Sequence, residues 1–195
     1  MGLDSVELIV SVEKTFKIDI PDQECEQIYT VQDLINAVTK RVLHQNNTRK
    51  ELLFTRIQNA ILETTSSTTT IHLKTQIIDL FKLDYLAFQW KDLERFLQLT
   101  LPELVPLDFN DKLDTHVKVL GLKIFKRKSP VTKGNIEQLI DWIISLNYRK
   151  IIDLTEPISA YDIQRIAIGI VSDSVGLPVN EIELHHVMTR DLGID

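Results

Sequence analysis

The chain has 195 residues, room for one medium domain or two small ones, and its 44% hydrophobic and 26% charged content is that of a folded globular protein. Against 22 basic residues stand 28 acidic ones, and the net charge of −6 argues against nucleic acid as a partner, since phosphate binding needs clustered positive charge. A single cysteine, Cys25, excludes an internal disulfide framework and a cysteine-only zinc site, and no apolar run approaches a membrane span. The opening MGLDSVELIVSVEK has no basic region ahead of an apolar stretch, and Val6 stands where a myristoylation motif wants Ser or Thr. The expectation is a soluble, cytoplasmic, acidic protein.

In chain order, the first predicted helix covers Val6 to Phe16, with Val6, Ile9, Val10 and Phe16 near one face and Glu7, Glu13 and Lys14 outside it. Pro21 ends it, and Thr30 with Asp33 caps a second helix whose stripe is Val31, Leu34, Ile35, Val38 and Val42. HQNNT, residues 44 to 48, reads as a boundary. Thr48 and Glu51 form a T-x-x-E box before the stripe Leu53, Ile57, Ala60 and Ile61, and TTSSTTT at 64–70 reads as loop. A helix from Phe88 to Leu97 carries Trp90, Leu93, Phe96 and Leu97; 105–128 reads as irregular, with HVKVLGLKIFK alternating around Gly121 as a short β-hairpin. Ile136, Leu139, Ile140, Ile143 and Leu146 mark another helix. Ser159 and Asp162 cap the last, with Ile163, Ile166, Ala167, Ile170, Val171 and Val175 on its face. Gly176 and Pro178 stop it, and LPVNEIELHHVMTRDLGID reads as a long loop.

Two of these pieces resemble halves of the acyl carrier protein family. GLDSVELIVSVEKTFKIDIPDQECEQIYTVQDLINAV is similar to the family's second half, with its I-P-D turn and T-V-x-D-L-I helix; IQRIAIGIVSDSVGLPVNEI and RDLGID are similar to its first half. The order is reversed, as in a circularly permuted carrier or one completed by exchange of half-bundles in a homodimer; 156–195 followed by 1–45 make 85 residues, about one carrier domain. Between them, LERFLQLTLPE at 93–103 lines up with VEKTFKIDIPD at 12–22 through the proline, GNIEQLIDWI echoes TVQDLINAV, and IHLKTQIIDL echoes IELHHVMTRDL. The expected fold is therefore all-α with a short β-hairpin near 116–125: two acyl-carrier-like four-helix bundles, one assembled from 1–45 and 156–195, the other a divergent repeat in 46–155. Split this way, the composite bundle carries −9 and the middle +3.

The resemblance implies 4′-phosphopantetheine on a serine at the start of the family's second helix, carrying acyl or peptidyl groups as thioesters for fatty acid or polyketide biosynthesis. A phosphodiester there meets free backbone N–H groups and the positive end of the helix dipole. Asp4-Ser5 matches the family's D-S pair locally, so Ser5 is the candidate attachment residue. The family's spacing to the F-x-I-x-I-P turn instead puts the attachment position at Gly2, three residues earlier, and modification of Ser5 would need the helix to begin about a turn late. The alternative reading is accordingly a pseudo-carrier scaffold without the prosthetic group. Implied partners are a phosphopantetheinyl transferase and acyl-processing enzymes with basic docking patches, which Asp4, Glu7 and Glu13 would meet.

Other residues point elsewhere less well. His185-His186 is a weak metal signal, Cys25 lacks a matching base, and no phosphate loop, G-x-S-x-G or H-E-x-x-H occurs, so no enzyme is expected. Trp90 and Trp142 read as core anchors. KIFKRK, 123–128, is the sharpest basic cluster, and a nucleic-acid adaptor built on it is the least favoured class.

Overall fold

Helices dominate, as the aliphatic spacing requires: α1 is Leu3–Phe16, α2 Asp22–Cys25, α3 Val31–Thr39, α4 Lys50–Thr65, α5 Leu86–Leu97, α6 Pro106–Phe109, α7 Ile136–Leu146, α8 Tyr148–Ile151, α9 Ala160–Val175 and α10 Met188–Leu192. The computed structural model describes residues 2–42, 49–65, 70–110, 112–119, 122–126 and 128–195, with backbone alone at 117–119 and 122–126. The boundary at 44–48, the Thr48 end of the T-x-x-E box, 66–69 of the threonine-rich stretch, Gly121 and Arg127 lie outside these residues. The expected hairpin is present as β1 His116–Val119 and β2 Leu122–Lys126, antiparallel, with an irregularity between Val117 and Lys118. Cα packing divides the chain into one unit of Met1–Arg49 with Ile144–Asp195 and another of Lys50–Ile143, the division falling inside α7.

In the first unit α9 is the core helix. Ser159 caps it, its Oγ accepting the Asp162 N–H at 3.0 Å while Asp162 Oδ2 accepts the Ser159 N–H at 3.2 Å, and Gly176 closes it at φ 68°. Nine of its residues are buried, from Asp162 to Val171, and α1 and α3 both pack against it. Asp162 is fully buried and paired with Arg49 at 2.9 Å. On α1 the buried face is Leu8, Ile9, Val12 and Phe16, while Val6 and Val10 are 44% and 53% exposed. This corrects the expected stripe: residues 8, 12 and 16 lie a helical turn apart, and 6 and 10 fall across the helix from them. The segment after Gly176 is likewise more ordered than a loop, with a 3₁₀ turn at Val179–Glu181 and α10.

Gly169, in mid-α9, has a structural reason. A Cβ there would overlap the Ser145 carbonyl and lie 2.7 Å from Tyr148 Cδ1, so bare backbone is what lets the end of α7 and α8 approach. Gly169→Ala should destabilise the first unit by roughly 1–3 kcal/mol, read from urea unfolding, because the obstructing atom is backbone.

In the second unit Leu53, Ile57, Ala60 and Ile61 of α4 are buried, as are Leu86, Trp90, Leu93 and Leu97 of α5, and the two helices pack together. Phe96, expected on the buried stripe, is 55% exposed, since Leu93 and Leu97 already fill the inward turn. Trp90 is buried and donates Nε1–H to the Pro102 carbonyl at 2.9 Å, with Phe81 edge-on at 5.5 Å. Trp142 is half-buried, its ring against Gly134. The stretch read as irregular holds α6, opened by Pro106, and Asp108. That carboxylate is buried and accepts the Val105 N–H, the Thr132 N–H and the Thr132 hydroxyl, each at 2.7 Å.

The two units repeat a local geometry. In the first, the Val31 N–H donates to His186 O at 3.2 Å, Gln32 N–H to Leu184 O at 2.9 Å and Met188 N–H to Tyr29 O at 2.8 Å. In the second, Ile136 N–H donates to Thr75 O at 3.0 Å, Glu137 N–H to Leu73 O at 2.8 Å and Ile77 N–H to Gly134 O at 2.9 Å. Each clasp sits beside a reciprocal cap, Thr30–Asp33 in one and Asn135–Gln138 in the other. Among the described residues Lys17 and Gln98, at φ 55° and 54°, are the non-glycine positions with positive φ, and they end α1 and α5. Glu13 Oε1 accepts the Ile20 N–H at 2.6 Å, and Glu94 Oε1 accepts the Leu101 N–H at 3.2 Å. These pairs stand at the positions that align VEKTFKIDIPD with LERFLQLTLPE. Asp108→Asn should lower the second unit's stability by roughly 2–3 kcal/mol in urea unfolding, since one buried N–H donor would then face an amide N–H₂.

Candidate functional site

α1 starts without a side-chain cap. Gly2 is its N-cap residue, at φ −77° and ψ 177°, and Leu3, Asp4 and Ser5 make the first turn. The helix thus begins ahead of Ser5, not a turn after Gly2. Ser5 is half-buried; its Oγ lies 2.7 Å from the Asp195 carbonyl oxygen and 2.9 Å from that of Gly2, and its N–H donates to the same Asp195 oxygen at 3.2 Å. One hydroxyl proton is therefore shared between two carbonyls. Asp4 and Glu7 are exposed on the outer side of α1. Glu13, grouped with them as a docking residue, is half-buried, and its carboxylate locks the turn to Ile20.

Ser5 stands at the rim of an apolar groove of about 330 Å³. Leu8 and Ile9 of α1 form one wall, Cys25 and Ile28 a second, and Met188 with Ile194 a third. Tyr29, 65% exposed, stands at the mouth. The Cys25 thiol is buried, donates to the Ile20 carbonyl at 3.3 Å, and is pushed up in pKa by desolvation, so it is a packing group and not a thiolate. Sequence reasoning missed this groove. Met188 and Ile194 sit in the segment read as loop, where no apolar period marks them.

α2 is only four residues long and is held from outside. Glu24 reaches α3's end, with Arg41 Nη2 at 2.6 Å and Lys40 Nζ at 3.3 Å, and Arg41 also donates to the Asp19 and Ala37 carbonyls. The hydrogen bond from Arg41, then that from Lys40, lowers the Glu24 pKa to about 2. On the third wall the Arg190 guanidinium beside Asp191 holds that carboxyl far below the usual range, and Asp191 Oδ2 accepts the Val187 N–H at 2.9 Å ahead of α10.

The remaining sequence candidates lie elsewhere. His185 and His186 contact edge-on at 5.1 Å; His185 pairs with Glu183, and His186 Nδ1 accepts the Glu183 N–H. Among the described residues no group of three or more His, Cys, Asp or Glu could hold a metal ion, and no helix is long and apolar enough to cross a membrane.

The chain contains a region similar to acyl carrier proteins. That of Thermosynechococcus vestitus is 48% identical over 41 residues, 21% of this chain and 51% of the relative. That of Campylobacter concisus is 42% identical over 39 residues, 20% of this chain and 51% of the relative. The chain thus spans about half the length of the curated relatives it matches. No family model and no solved structure matches it.

Because Glu24 titrates near 2 when folded and near 4.5 when free, its contribution to stability is complete above pH 4.5 and is lost as pH falls toward 2. Glu24→Gln should lower the melting temperature at pH 7 and leave it close to the parent's at pH 2, a convergence visible in thermal melts across that range.

Proposed function

We propose that the first unit is an acyl-carrier-like module, built from 156–195 followed by 1–45, that displays an acyl or peptidyl group to partner enzymes and is not itself a catalyst. The observation that carries this reading is the apolar groove beside the start of α1, with the Ser5 hydroxyl among its lining residues and Asp4 and Glu7 exposed next to it. The similarity to acyl carrier proteins supports it. When bound, 4′-phosphopantetheine supplies a long flexible arm ending in a thiol. The chain's own residues do the rest. Asp4 and Glu7 steer basic patches of a phosphopantetheinyl transferase and of acyl-processing enzymes, an attraction that salt weakens. Leu8, Ile9, Ile28, Met188 and Ile194 offer a dry wall to an aliphatic chain.

The residues fit the prosthetic group in kind, since Ser5 supplies a hydroxyl at a helix start. An ester at Oγ would remove the proton that the Gly2 and Asp195 carbonyls share, so residues 193–195 must move off the helix start to admit it. That same double engagement, with Gly2 at the N-cap, favours a second reading, a pseudo-carrier scaffold that docks partners without a tether.

The second unit we read as a divergent carrier-like repeat, on the strength of its matching clasp and the Lys17–Gln98 correspondence. In that register Leu86 stands for Ser5 and Leu83 for Gly2; neither has a hydroxyl, so this unit takes no prosthetic group. The module is read as cytoplasmic.

Co-expression with a broad-specificity phosphopantetheinyl transferase, followed by intact-mass measurement, tests the carrier reading. The expected result is a gain of one phosphopantetheine per chain, abolished by Ser5→Ala. No gain in the parent chain would overturn it and leave the scaffold.

A further inference from the structure

Residues 193–195 lie across the start of α1, and the contact is built from both sides. The Asp195 carbonyl accepts the Ser5 N–H at 3.2 Å and lies 2.7 Å from Ser5 Oγ. That N–H belongs to the first helical turn, whose donors have no acceptor within the helix. The helix's own bonding starts one residue later, from the Val6 N–H to the Gly2 carbonyl at 3.3 Å. Gly2 makes room for the approach, since a Cβ there would overlap the Asp195 carbonyl and fall 2.9 Å from the Asp195 Cβ.

Ile194 anchors this strap. It is 2% exposed, and its N–H donates to the Met188 carbonyl at 3.0 Å. It lines the apolar groove beside Ser5 and also a second groove, about 520 Å³, on the outer side of α1. Its side chain is therefore a partition between the two. Gly193, just before it, sits at φ 69° at the end of α10, and among the described residues nothing lies within 4 Å of where its Cβ would be. A glycine in open space is a backbone joint that turns without a clash.

What holds the strap down is local. One buried isoleucine, the Ile194 N–H bond and the two Ser5 contacts close it, while the clasp between α3 and the segment before α10 is made by other residues. Lifting residues 193–195 frees the Ser5 N–H and hydroxyl together and removes the partition. Modification of Ser5 needs both changes. In that step Oγ bonds to phosphorus, the phosphorus–oxygen bond to the departing nucleotide of a coenzyme A donor breaks, and the hydroxyl proton passes to a base of the transferase. A proton held by the Gly2 and Asp195 carbonyls is not presented to that base.

We propose that residues 193–195 form an autoinhibitory strap, hinged at Gly193, that shields the Ser5 hydroxyl when closed and opens Ser5 and the apolar groove together when it lifts. The proposal rests on the reading of Ser5 as the attachment residue. The observed rate of modification is then the intrinsic rate multiplied by the open fraction. Once esterified, Oγ has no proton for the Asp195 carbonyl, so loading keeps the strap open.

Amide hydrogen exchange by NMR and intact-mass kinetics with a broad-specificity phosphopantetheinyl transferase, on the same full chains, test this. Ile194→Ser removes the anchor and should speed exchange of the Ser5 N–H by about ten- to hundredfold, the release of one buried aliphatic side chain. Gly2→Ala wedges a methyl group under the strap and should act in the same direction. In both, the Val31 and Gln32 amides of the clasp should stay as protected as in the parent, and loading should quicken in step with Ser5 exchange. Gly169→Ala, which destabilises the unit without touching the strap, should change neither rate. The strap is overturned, with the carrier reading intact, if the parent loads and the two strap variants load no faster, or if Gly169→Ala accelerates both rates as they do. No loading in any chain overturns both readings. Loading confined to the strap variants upholds the strap and makes the parent a scaffold held shut.

Discussion

The backbone clasp between the start of α3 and the segment before α10 is the constraint on which the first unit depends. Its three hydrogen bonds join Tyr29–Gln32 to Leu184–Met188, residues more than 150 positions apart in sequence. They fix where α10 begins, and α10 with Ile194 supplies the third wall of the groove beneath Ser5. The second unit uses the same device to hold Ile77 against the start of α7. In both, a polar side-chain cap and a strand-like backbone pairing act at one helix N-terminus, so donors that a helix start leaves unsatisfied are met twice over.

What was legible in the sequence was local. Thr30 with Asp33 and Ser159 with Asp162 are reciprocal caps whose partners lie three residues apart, and both form as spaced. The stripe of α4 is buried as its spacing requires. Legibility failed where tertiary contact decides the outcome. Val6 and Val10 are as apolar as Ile9, and only the direction of α9 leaves them outside. Phe96 is exposed for a similar reason. α10 is five residues long, too short to show a period, and exists because the clasp and the Asp191 contact to the Val187 N–H start it.

The site was half legible for the same reason. Asp4, Ser5 and Glu7 lie on one helix, and a single stretch of sequence displays them together. Glu13 belongs to the same stretch, yet its carboxylate is committed to the Ile20 N–H, a role set by the turn that follows and not by the helix. The carbonyl of Asp195 beside Ser5 and the groove wall of Met188 and Ile194 come from residues far away along the chain, and no spacing rule connects them to α1. The charge split behaves differently, because counting needs no geometry: the acidic excess of the terminal segments against the mildly basic middle is present before folding.

The make-up of the first unit, Met1–Arg49 with Ile144–Asp195, has a consequence for synthesis. The stretch Lys50–Ile143 must be translated between its two parts, and at about 5–20 residues per second that takes roughly 5 to 20 s. Throughout that interval Leu8, Ile9, Val12 and Phe16 have emerged while α9, the surface that covers them, does not yet exist. The nascent chain therefore shows a four-residue apolar stripe to the cell, with the acidic side chains of Glu7 and Glu13 interleaved as charges of the kind that oppose aggregation.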